Sequence, residues 1–376
     1  MTEHRTLFDM EAALALVPPL PQVDRPTLPR RGEDPRRTAI GNVTLEHADA
    51  KDRYEFWPAP TAIIVDGPYG VAGFPGDPPR PEGLAEWYAP HAALWSKHAL
   101  PSTTLWFWGT EISWAIVHPV LSLHGWDYRS AHVWDKGIGH IAGNVNGNTI
   151  RRFPVVTELC VQYVRRVELL TGDGELLPMK EWLRKEWQRS GLPLSKTNEA
   201  CGVKNAATRK YFTQCHLWYF PPPEMMERLS AFAGTHGRPT AHPYFSLDGQ
   251  NPLSADEWSR MRAKWHHVHG ITNVWTEPGV RGAERLKDDR AKIIHTNQKP
   301  LRLVDLSVRA CSDPGDVVWE PFGGLCSAAV ASLRSGRSGY AAEIDAEVFE
   351  AASARLRQEA DALAANRSGD DDPAMP

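Results

Sequence analysis

Residues 291–345 carry side chains whose types and spacing suit the binding of a nucleoside. The apolar strand Asp316–Trp319 runs into the turn Glu320-Pro321-Phe322-Gly323-Gly324, and a second strand, Gly339–Ala342, delivers Glu343 at its end. Adjacent glycines let a backbone approach a ligand closely, and an acid about 20 residues further on can accept hydrogen bonds from ribose hydroxyls. The pattern indicates a nucleoside site, although an ordinary strand–helix–strand unit with a glycine turn gives the same local signal.

The glycine turn lacks the features that bind phosphate. Neither the G-x-G-x-x-G pattern of dinucleotide sites nor the Lys-Ser/Thr pair of P-loops is present in this stretch. A turn of this kind, preceded by an acid, suits an adenosine ligand whose charged end is an amino acid. S-adenosylmethionine is such a ligand, and we expect it to be the cofactor.

A second set of reactive side chains lies far upstream, where the strand Thr61–Val65 ends in Asp66-Gly67-Pro68-Tyr69. Methylation of an amino group on a base requires an acceptor for the amine hydrogens, a flat face against the extruded base and an approach line for the methyl group. Asp66, Tyr69 and the bend at Pro68 could supply all three. Taken alone, the same four residues are also typical of a turn.

Three motifs resemble those of the amino-methylating DNA methyltransferases. The tetrad at Asp66 is similar to their Asp-Pro-Pro-Tyr, residues 295–300 to their His-Pro-x-Gln-Lys-Pro, and residues 320–324 to their Asp-Pro-Phe-x-Gly. Their order, with the tetrad first and the cofactor turn last, resembles the circularly permuted β group of that family. This chain departs from the motifs at Gly67, at Glu320, and at Leu325-Cys326-Ser327, where the family has Ser-Gly-Thr.

The resemblance implies an α/β fold: a doubly wound, Rossmann-like methyltransferase sheet in circularly permuted order, with a mainly helical inserted target-recognition region. It also implies methyl transfer from S-adenosylmethionine to the exocyclic amine of a flipped base. An aspartate at the start of the tetrad favours adenine N6, and cytosine N4 is the alternative. The implied catalytic residues are Asp66, Pro68 and Tyr69. The implied cofactor-binding residues are Asp49, Asp66, His295, Asn297, Gln298, Lys299, Glu320, Pro321, Phe322, Gly323, Gly324 and Glu343.

Five segments are predicted along the chain. They are a flexible tail (1–40), the catalytic half of the methyltransferase domain (41–166), the insertion (167–272), the cofactor-binding half (273–364) and an acidic tail (365–376). Within the insertion, helices are predicted around Met179–Trp187, Ser195–Ala200 and Asn205–Phe212, and a further one over Ala255–His266. Helix, glycine turn and basic helix are typical of a helix-turn-helix, although a plain helical subdomain has the same pattern.

The distribution of charge suits a nucleic-acid partner better than the net charge of −4 does. Residues 180–212 contain eight lysines and arginines against three glutamates, and a second basic stretch runs from Arg260 to Arg302. Contact with phosphate needs only a local basic face, so double-stranded DNA is the expected partner, while solvated helix faces are the plainer alternative. The residues predicted to contact DNA are Lys136, Lys204, Arg209, Lys210, Arg281 and Arg285.

Several other classes fit the sequence poorly. None of the five cysteines follows a proline, which disfavours attack on cytosine carbon five, and no C-x-x-C pair indicates a metal site or disulfide framework. No apolar run is long enough for a membrane span, so we expect a cytoplasmic, nucleoid-associated protein. A cognate restriction endonuclease and a second copy of the chain are further expected partners. Two alternatives stay open: an RNA amino-methyltransferase, and a non-catalytic DNA-binding regulator on the same scaffold.

Overall fold

The computed structural model describes residues 35–72, 76–141, 150–215, 217–288, 290–295 and 297–370. Most of the predicted N-terminal tail, the end of the C-terminal tail and Thr296 lie outside these residues. The strands are β1 (Arg36–Ile40), β2 (Val43–His47), β3 (Ala62–Val65), β4 (Thr104–Gly109), β5 (Trp126–Asp135), β6 (Thr157–Arg165), β7 (Glu168–Leu170), β8 (Leu176–Pro178), β9 (Val274–Thr276), β10 (Val317–Glu320) and β11 (Ser338–Glu343).

Ten α-helices accompany these strands within the described part of the chain. They are α1 (Leu84–His98), α2 (Glu111–Leu123), α3 (Met179–Arg189), α4 (Lys196–Ala200), α5 (Ala206–Tyr211), α6 (Pro223–His236), α7 (Ala255–Arg260), α8 (Leu301–Cys311), α9 (Ser327–Ser335) and α10 (Ala346–Asp370). None of the helices in these described ranges combines the length and apolar character needed to cross a membrane.

Nine strands form one sheet in the order β1-β2-β11-β10-β3-β4-β6-β5-β9. The five strands from β2 to β4 in this order are parallel, whereas β6 is antiparallel to both of its neighbours. From β10 the chain continues through α9 to β11 on one side, and from β3 through α1 to β4 on the other. The order therefore reverses between β10 and β3, and ligands of doubly wound sheets bind at the carboxyl ends of such strands. This is the predicted fold class, with both halves of the chain contributing to one sheet.

The parallel strands are buried on both faces, which explains their continuous apolar sequences. Along β3, Ile63 and Val65 pack into a cluster with α1 and α2, whereas Ala62 and Ile64 pack on the other face with α8. The period of two in a strand sends successive side chains to opposite faces. As a result β3 and β10 are held rigidly, and the residues that follow them have fixed positions.

The insertion has a hydrophobic core of its own, built on three fully buried tryptophans, Trp182, Trp187 and Trp258. At the end of α3 the buried Glu186 pairs with Arg189 at 2.7 Å and accepts hydrogen bonds from two backbone N–H groups. Helices α4 and α5 flank the turn at Gly202, as predicted. Because α5 has only six residues, it is about 9 Å long, short for a helix that enters a major groove.

Three predicted boundaries are wrong. Residues 36–40 form β1 along β2 rather than a flexible tail, and α10 continues through residues 365–370 of the predicted acidic tail. The helix predicted over Ala255–His266 ends at Arg260. Beyond it the chain is tied to the end of α8, since the backbone N–H of His266 donates to the Ala310 carbonyl at 2.7 Å. Helix α6, the hairpin β7–β8 and the short edge strand β9 were not predicted, although Met226, Leu229 and Ala233 of α6 recur at helical spacing.

Candidate active site

A cavity of about 840 Å³ opens where the carboxyl ends of β10 and β3 meet. Every residue predicted for catalysis and for cofactor binding lines it, although these residues come from five separate parts of the chain. Its volume is within the range of small-molecule sites, about 300–1,000 Å³. The sheet topology thus gathers the three motifs at one place.

Asp66 follows β3 and is held by two donors. Its Oδ1 accepts hydrogen bonds from the Lys299 ammonium at 2.8 Å and from the Tyr69 hydroxyl at 3.0 Å. Within the described part of the chain, Oδ2 has no protein partner. A carboxylate anchored through one oxygen presents the other to a ligand in a fixed direction.

Tyr69 is fixed through its hydroxyl, which also lies 3.2 Å from Oε2 of Glu158. The Lys299 ammonium lies over the Tyr69 ring, 5.1 Å from its centroid. Burial raises the pKa of Tyr69 well above its usual value, and the neighbouring carboxylates raise it further. The phenol therefore stays protonated, and its ring is held in one orientation at the cavity wall.

Two carboxylates and two ammonium groups alternate behind Tyr69. Lys299 approaches Glu158 as well as Asp66, and Lys136 forms an ion pair with Glu158. Burial raises the pKa of Glu158, but the two lysines outweigh it and the net shift is downward. Burial lowers the pKa of Lys299, yet the two carboxylates outweigh it and the net shift is upward. Both groups are consequently ionised at neutral pH.

The glycine turn is fixed by two carboxyl groups, those of the buried Glu320 and the partly buried Glu343. Glu320 accepts hydrogen bonds from the N–H groups of Ala328 at 2.9 Å and Ala329 at 2.8 Å, at the start of α9. Glu343 accepts from the N–H groups of Gly324 and Asp345, both at 2.7 Å. Burial raises the pKa of Glu320 to about 8 and that of Glu343 to about 7. Each oxygen of Glu343 keeps a second lone pair that could accept a ligand hydroxyl.

The remaining predicted cofactor residues divide into supporting and lining groups. Gln298 is buried, and its amide bonds the Glu284 carbonyl at 2.6 Å and the Leu286 N–H at 3.2 Å, so it shapes the neighbouring loop. Burial lowers the pKa of His295, which keeps this ring neutral at pH 7. Asp49 accepts from the Lys51 N–H and lines the opposite wall.

The departures from the resembled motifs have local compensations. The longer side chain of Glu320 reaches the first N–H groups of α9. Cys326 adopts a left-handed conformation (φ 57°) where the family has glycine, at a cost of about 1–2 kcal/mol. Arg355 of α10 stabilises this turn by donating to the Leu325 carbonyl at 2.7 Å and the Ser327 hydroxyl at 3.2 Å.

Gly67 leaves room for two aromatic side chains. An added Cβ would lie 2.5 Å from the Tyr88 hydroxyl oxygen and 2.7 Å from Cδ2 of Phe322. We expect Gly67→Ala to lower stability by about 1–3 kcal/mol because these rings must move. A thermal melt measures this. As a control, Gly234→Ala in α6, where an added Cβ meets nothing within 4 Å, should raise stability by about 0.5–1 kcal/mol. Equal melting temperatures for Gly67→Ala and the parent would contradict the packing argument.

The raised pKa of Glu320 predicts a specific dependence of stability on pH. The folded carboxyl keeps its proton up to about pH 8, whereas the unfolded one loses it near 4.5. Between these values unfolding releases a proton, so the free energy of unfolding falls with rising pH, by at most about 1.4 kcal/mol per unit. In denaturant titrations from pH 5 to 8, where Glu343 with its raised pKa of about 7 contributes as well, Glu320→Gln should reduce this slope by the share due to Glu320. The exposed variant Glu181→Gln should keep it, and parallel curves for Glu320→Gln and the parent would refute the assignment.

Several residues of the site were not predicted. Trp87 and His91 of α1 line the cavity with their rings stacked at 4.7 Å, and both rings lie near Phe322. Their spacing of four identifies one helix face, but only tertiary packing decides that this face meets the cavity. Glu158 lies opposite Trp134 in the antiparallel pair of β5 and β6. In the sequence, the one sign of a role for Glu158 was its position as a carboxylate in a largely apolar strand.

The cysteines contribute no thiol to the cavity, although Cys326 lies beside the glycine turn. Cys160, Cys201, Cys311 and Cys326 are buried and Cys215 is exposed in the insertion, and none of the five lines the cavity. Burial raises the pKa of Cys160 and Cys326 well above the usual value, so these thiols stay protonated. Methyl transfer here would therefore proceed without a thiolate nucleophile.

The residues predicted to contact DNA occupy different environments. Lys204, Arg209 and Lys210 are exposed on the insertion. The guanidinium groups of Arg281 and Arg285 donate to backbone carbonyls, those of Gly139 and His295 respectively, each at 3.1 Å. The Lys136 side chain is 11% exposed and its ammonium is paired with Glu158. Only the first three thus form a basic group on the insertion surface.

A family model described as "DNA methylase" matches residues 61–354, which is more than half of the chain. The chain belongs to the DNA methylase family. It is 33% identical over 86 residues to "Type II methyltransferase M.HinfI" of Haemophilus influenzae, a match covering 23% of this chain and 24% of that protein. It is 36% identical over 92 residues to "DNA adenine methyltransferase YhdJ" of Escherichia coli, covering 24% and 30%. The matches thus span less than a third of either relative.

Among solved structures, the chain shares its fold with the PvuII DNA methyltransferase (cytosine-N4-specific). The TM-score is 0.50 at 10% sequence identity, over 88% of this chain and 95% of that one. S-adenosylmethionine is the cofactor on which the DNA methylase family depends. The cavity fits this cofactor. Glu343, at the end of β11, has lone pairs that can accept hydrogen bonds from ribose hydroxyls, and at Gly323 and Gly324 the backbone itself lines the cavity. Among the described residues, no cluster of His, Cys, Asp and Glu suits a metal ion.

Proposed function

We propose that this DNA methylase transfers a methyl group from S-adenosylmethionine to the N6 amine of an adenine extruded from double-stranded DNA. The observation that carries the proposal is the position of Asp66. Its carboxylate stands beside the Tyr69 ring, in the same cavity as the glycine turn and Glu343. An amine acceptor, a stacking face and a nucleoside site thus share one cavity at the switch point of the sheet.

The chain's own groups account for the chemistry of the amine. S-adenosylmethionine, when bound, would supply an electrophilic methyl group on a sulfonium centre, whose carbon–sulfur bond breaks so that S-adenosylhomocysteine leaves as a neutral thioether. Oδ2 of Asp66 accepts a hydrogen bond from the target amine and directs its lone pair, while Tyr69 holds the base by its face. As the nitrogen forms its bond to carbon, it becomes positive, and the fixed carboxylate stabilises that charge. The nitrogen then releases a proton, which Asp66 can accept through the hydrogen bond it already makes to the amine.

Two observations support adenine as the target. Asp66 stands at the position where an aspartate usually accompanies adenine methylation in the resembled family. The name of the matched YhdJ protein also states an adenine specificity. Cytosine N4 is the competing target, because the same carboxylate could accept its exocyclic amine.

Glu343 gives a direct test of the cofactor site. We expect Glu343→Ala to weaken S-adenosylmethionine binding by about 1–3 kcal/mol, because the ribose hydroxyls lose their acceptor. That corresponds to a change in Kd of about 5- to 150-fold. Isothermal titration calorimetry measures the affinity, and circular dichroism checks the fold. Asp305→Ala, outside the cavity, serves as the control; equal affinities for Glu343→Ala and this control would show that the cofactor lies elsewhere.

A transfer assay separates the proposed function from its alternatives. Purified protein is given methyl-labelled S-adenosylmethionine with duplex DNA, single-stranded RNA or no nucleic acid. Label in duplex DNA alone is the expected result. Label in RNA alone would favour the RNA amino-methyltransferase. A protein that binds duplex DNA but transfers no label would favour the regulator.

The insertion is proposed to read the DNA sequence. Two observations support this proposal. Lys204, Arg209 and Lys210 are exposed on the insertion, and the insertion has a hydrophobic core of its own that can hold their backbone in place. A helix-turn-helix built from α4 and α5 would place Arg209 and Lys210 on the second helix. The cognate restriction endonuclease, the homodimer and the association with the nucleoid stay predictions.

A further inference from the structure

Glu158 contacts more functional groups than any other carboxylate described around the tetrad. It belongs to β6, and its Oε2 lies 3.2 Å from the Tyr69 hydroxyl and 3.6 Å from the Lys299 ammonium. Its Oε1 is paired with Lys136, which follows β5. Both oxygens are therefore committed to groups within the protein.

Asp66 and Glu158 share the same two donors. Lys299 and Tyr69 each contact one oxygen of Asp66 and one oxygen of Glu158. Without Glu158, Tyr69 and Lys299 would be held from one side only, and both would be free to turn toward Asp66. The direction in which Oδ2 of Asp66 faces the target amine thus depends on a second carboxylate that does not need to touch the substrate.

The charges of the cluster balance before the reaction. Asp66 and Glu158 oppose Lys136 and Lys299, whose side chains are 11% and 3% exposed. Loss of the Glu158 charge would leave a net positive cluster beside a nitrogen that becomes positive during transfer. In a poorly solvated site such a charge raises the energy of the transition state more than that of the bound substrate.

We propose that Glu158 is a positioning residue for methyl transfer, held in place by Lys136, and that it orients Asp66 through Tyr69 and Lys299. The inference rests on the proposed function and assigns Lys136 to the interior of the site rather than to a DNA phosphate. Its place in the structure supports this, because the ammonium lies against Glu158 and 4.8 Å from the centroid of the Trp134 ring. The charged and titratable groups that face Glu158 are Asp66, Tyr69, Lys136, His140 and Lys299.

The test compares Glu158→Gln and Lys136→Met with the parent protein in single-turnover methylation of duplex DNA. Glu158→Gln should slow transfer by about 10- to 100-fold while the Kd values for DNA and S-adenosylmethionine stay unchanged. Tyr69→Phe should cost less in the Glu158→Gln background than in the parent, because the two residues act through one hydrogen bond. In Lys136→Met, Glu158 loses a cation, so the acidic limb of the transfer rate should move to higher pH.

The outcomes separate this inference from the proposed function. An active parent whose Glu158→Gln variant transfers at the parental rate would overturn the inference alone. So would a Lys136→Met variant that binds DNA more weakly with a reduced salt dependence, since its ammonium would then contact phosphate. If Glu158→Gln fails to fold, the Lys136→Met pH profile decides, and an unmoved acidic limb overturns the inference. A parent protein without any transfer activity would overturn the proposed function itself.

Discussion

Replacing Asp66 with Ala should slow methyl transfer by about 10²–10³-fold, the typical effect of removing one group that stabilises transition-state charge. The cofactor and DNA should bind nearly as before, because most of the residues proposed to contact them lie elsewhere in the cavity and on the insertion. Lys299 keeps Glu158 at 3.6 Å as a partner, so the variant should still fold. Single-turnover methylation beside calorimetric titration of S-adenosylmethionine separates the rate from the affinity.

Asp305→Ala is the matched control for this variant. Asp305 is a partly exposed aspartate of α8 that pairs with Arg309 and does not line the cavity. Its loss should leave the transfer rate unchanged. A parental rate in a folded Asp66→Ala protein would mean that another group accepts the target amine. A parallel loss of cofactor binding would instead assign Asp66 mainly to the cofactor.

Replacing Arg209 and Lys210 together with Ala should weaken DNA binding and reduce its salt dependence. Each lost phosphate contact lowers the slope of log K against log salt by about one, so the double variant should lose about two. A side chain that contacts a base edge would in addition relax the site preference, by about 1–3 kcal/mol for each good contact. Fluorescence anisotropy at several salt concentrations measures both effects.

Lys97→Ala provides the control for the basic pair. Lys97 is an exposed lysine of α1 that pairs with Glu55, outside the insertion. It should leave the salt slope unchanged, and the double variant should keep its cofactor affinity. An unchanged slope in Arg209→Ala with Lys210→Ala would remove α5 from the DNA interface and the helix-turn-helix with it. The assignment to the methylase family would be unaffected.

The elements around the motifs could be predicted because the reactive residues end strands. Strand β10 is shifted by one residue from its predicted range, and β11 extends one residue beyond its predicted range at each end. Apolar runs that stop at Asp66 and Glu343 define the sheet edge, and carboxyl ends of parallel strands meet at one edge. The tetrad and the glycine turn meet in one cavity for two reasons. The parallel strands that precede them end at the same edge of the sheet, and β10 and β3, from the two halves of the chain, are neighbours in it.

The interactions behind these residues could not be predicted. Glu320 was expected to contact the cofactor, yet both of its oxygens accept N–H groups of α9. Gln298 lines the cavity but bonds the neighbouring loop. The role of Glu158 depends on the antiparallel register that places it opposite Trp134. That register could not be read from the sequence, because β5 and β6 are joined by a long loop and no short turn fixes their alignment. The end of helix α7 at Arg260 was not predicted either. The residues after it are held by a tertiary contact, the hydrogen bond from the His266 N–H to the Ala310 carbonyl.

The central claim is that the Asp66 site methylates the exocyclic amine of adenine in DNA. The most direct measurement is mass spectrometry of the nucleosides released from duplex DNA after incubation with the protein and S-adenosylmethionine. We predict N6-methyldeoxyadenosine from the parent and a greatly reduced amount from Asp66→Ala. N4-methyldeoxycytidine as the product would contradict the choice of base. Methylation of an exocyclic amine at Asp66 would be contradicted if 5-methyldeoxycytidine appeared, or if a folded, cofactor-binding parent produced no methylated nucleoside.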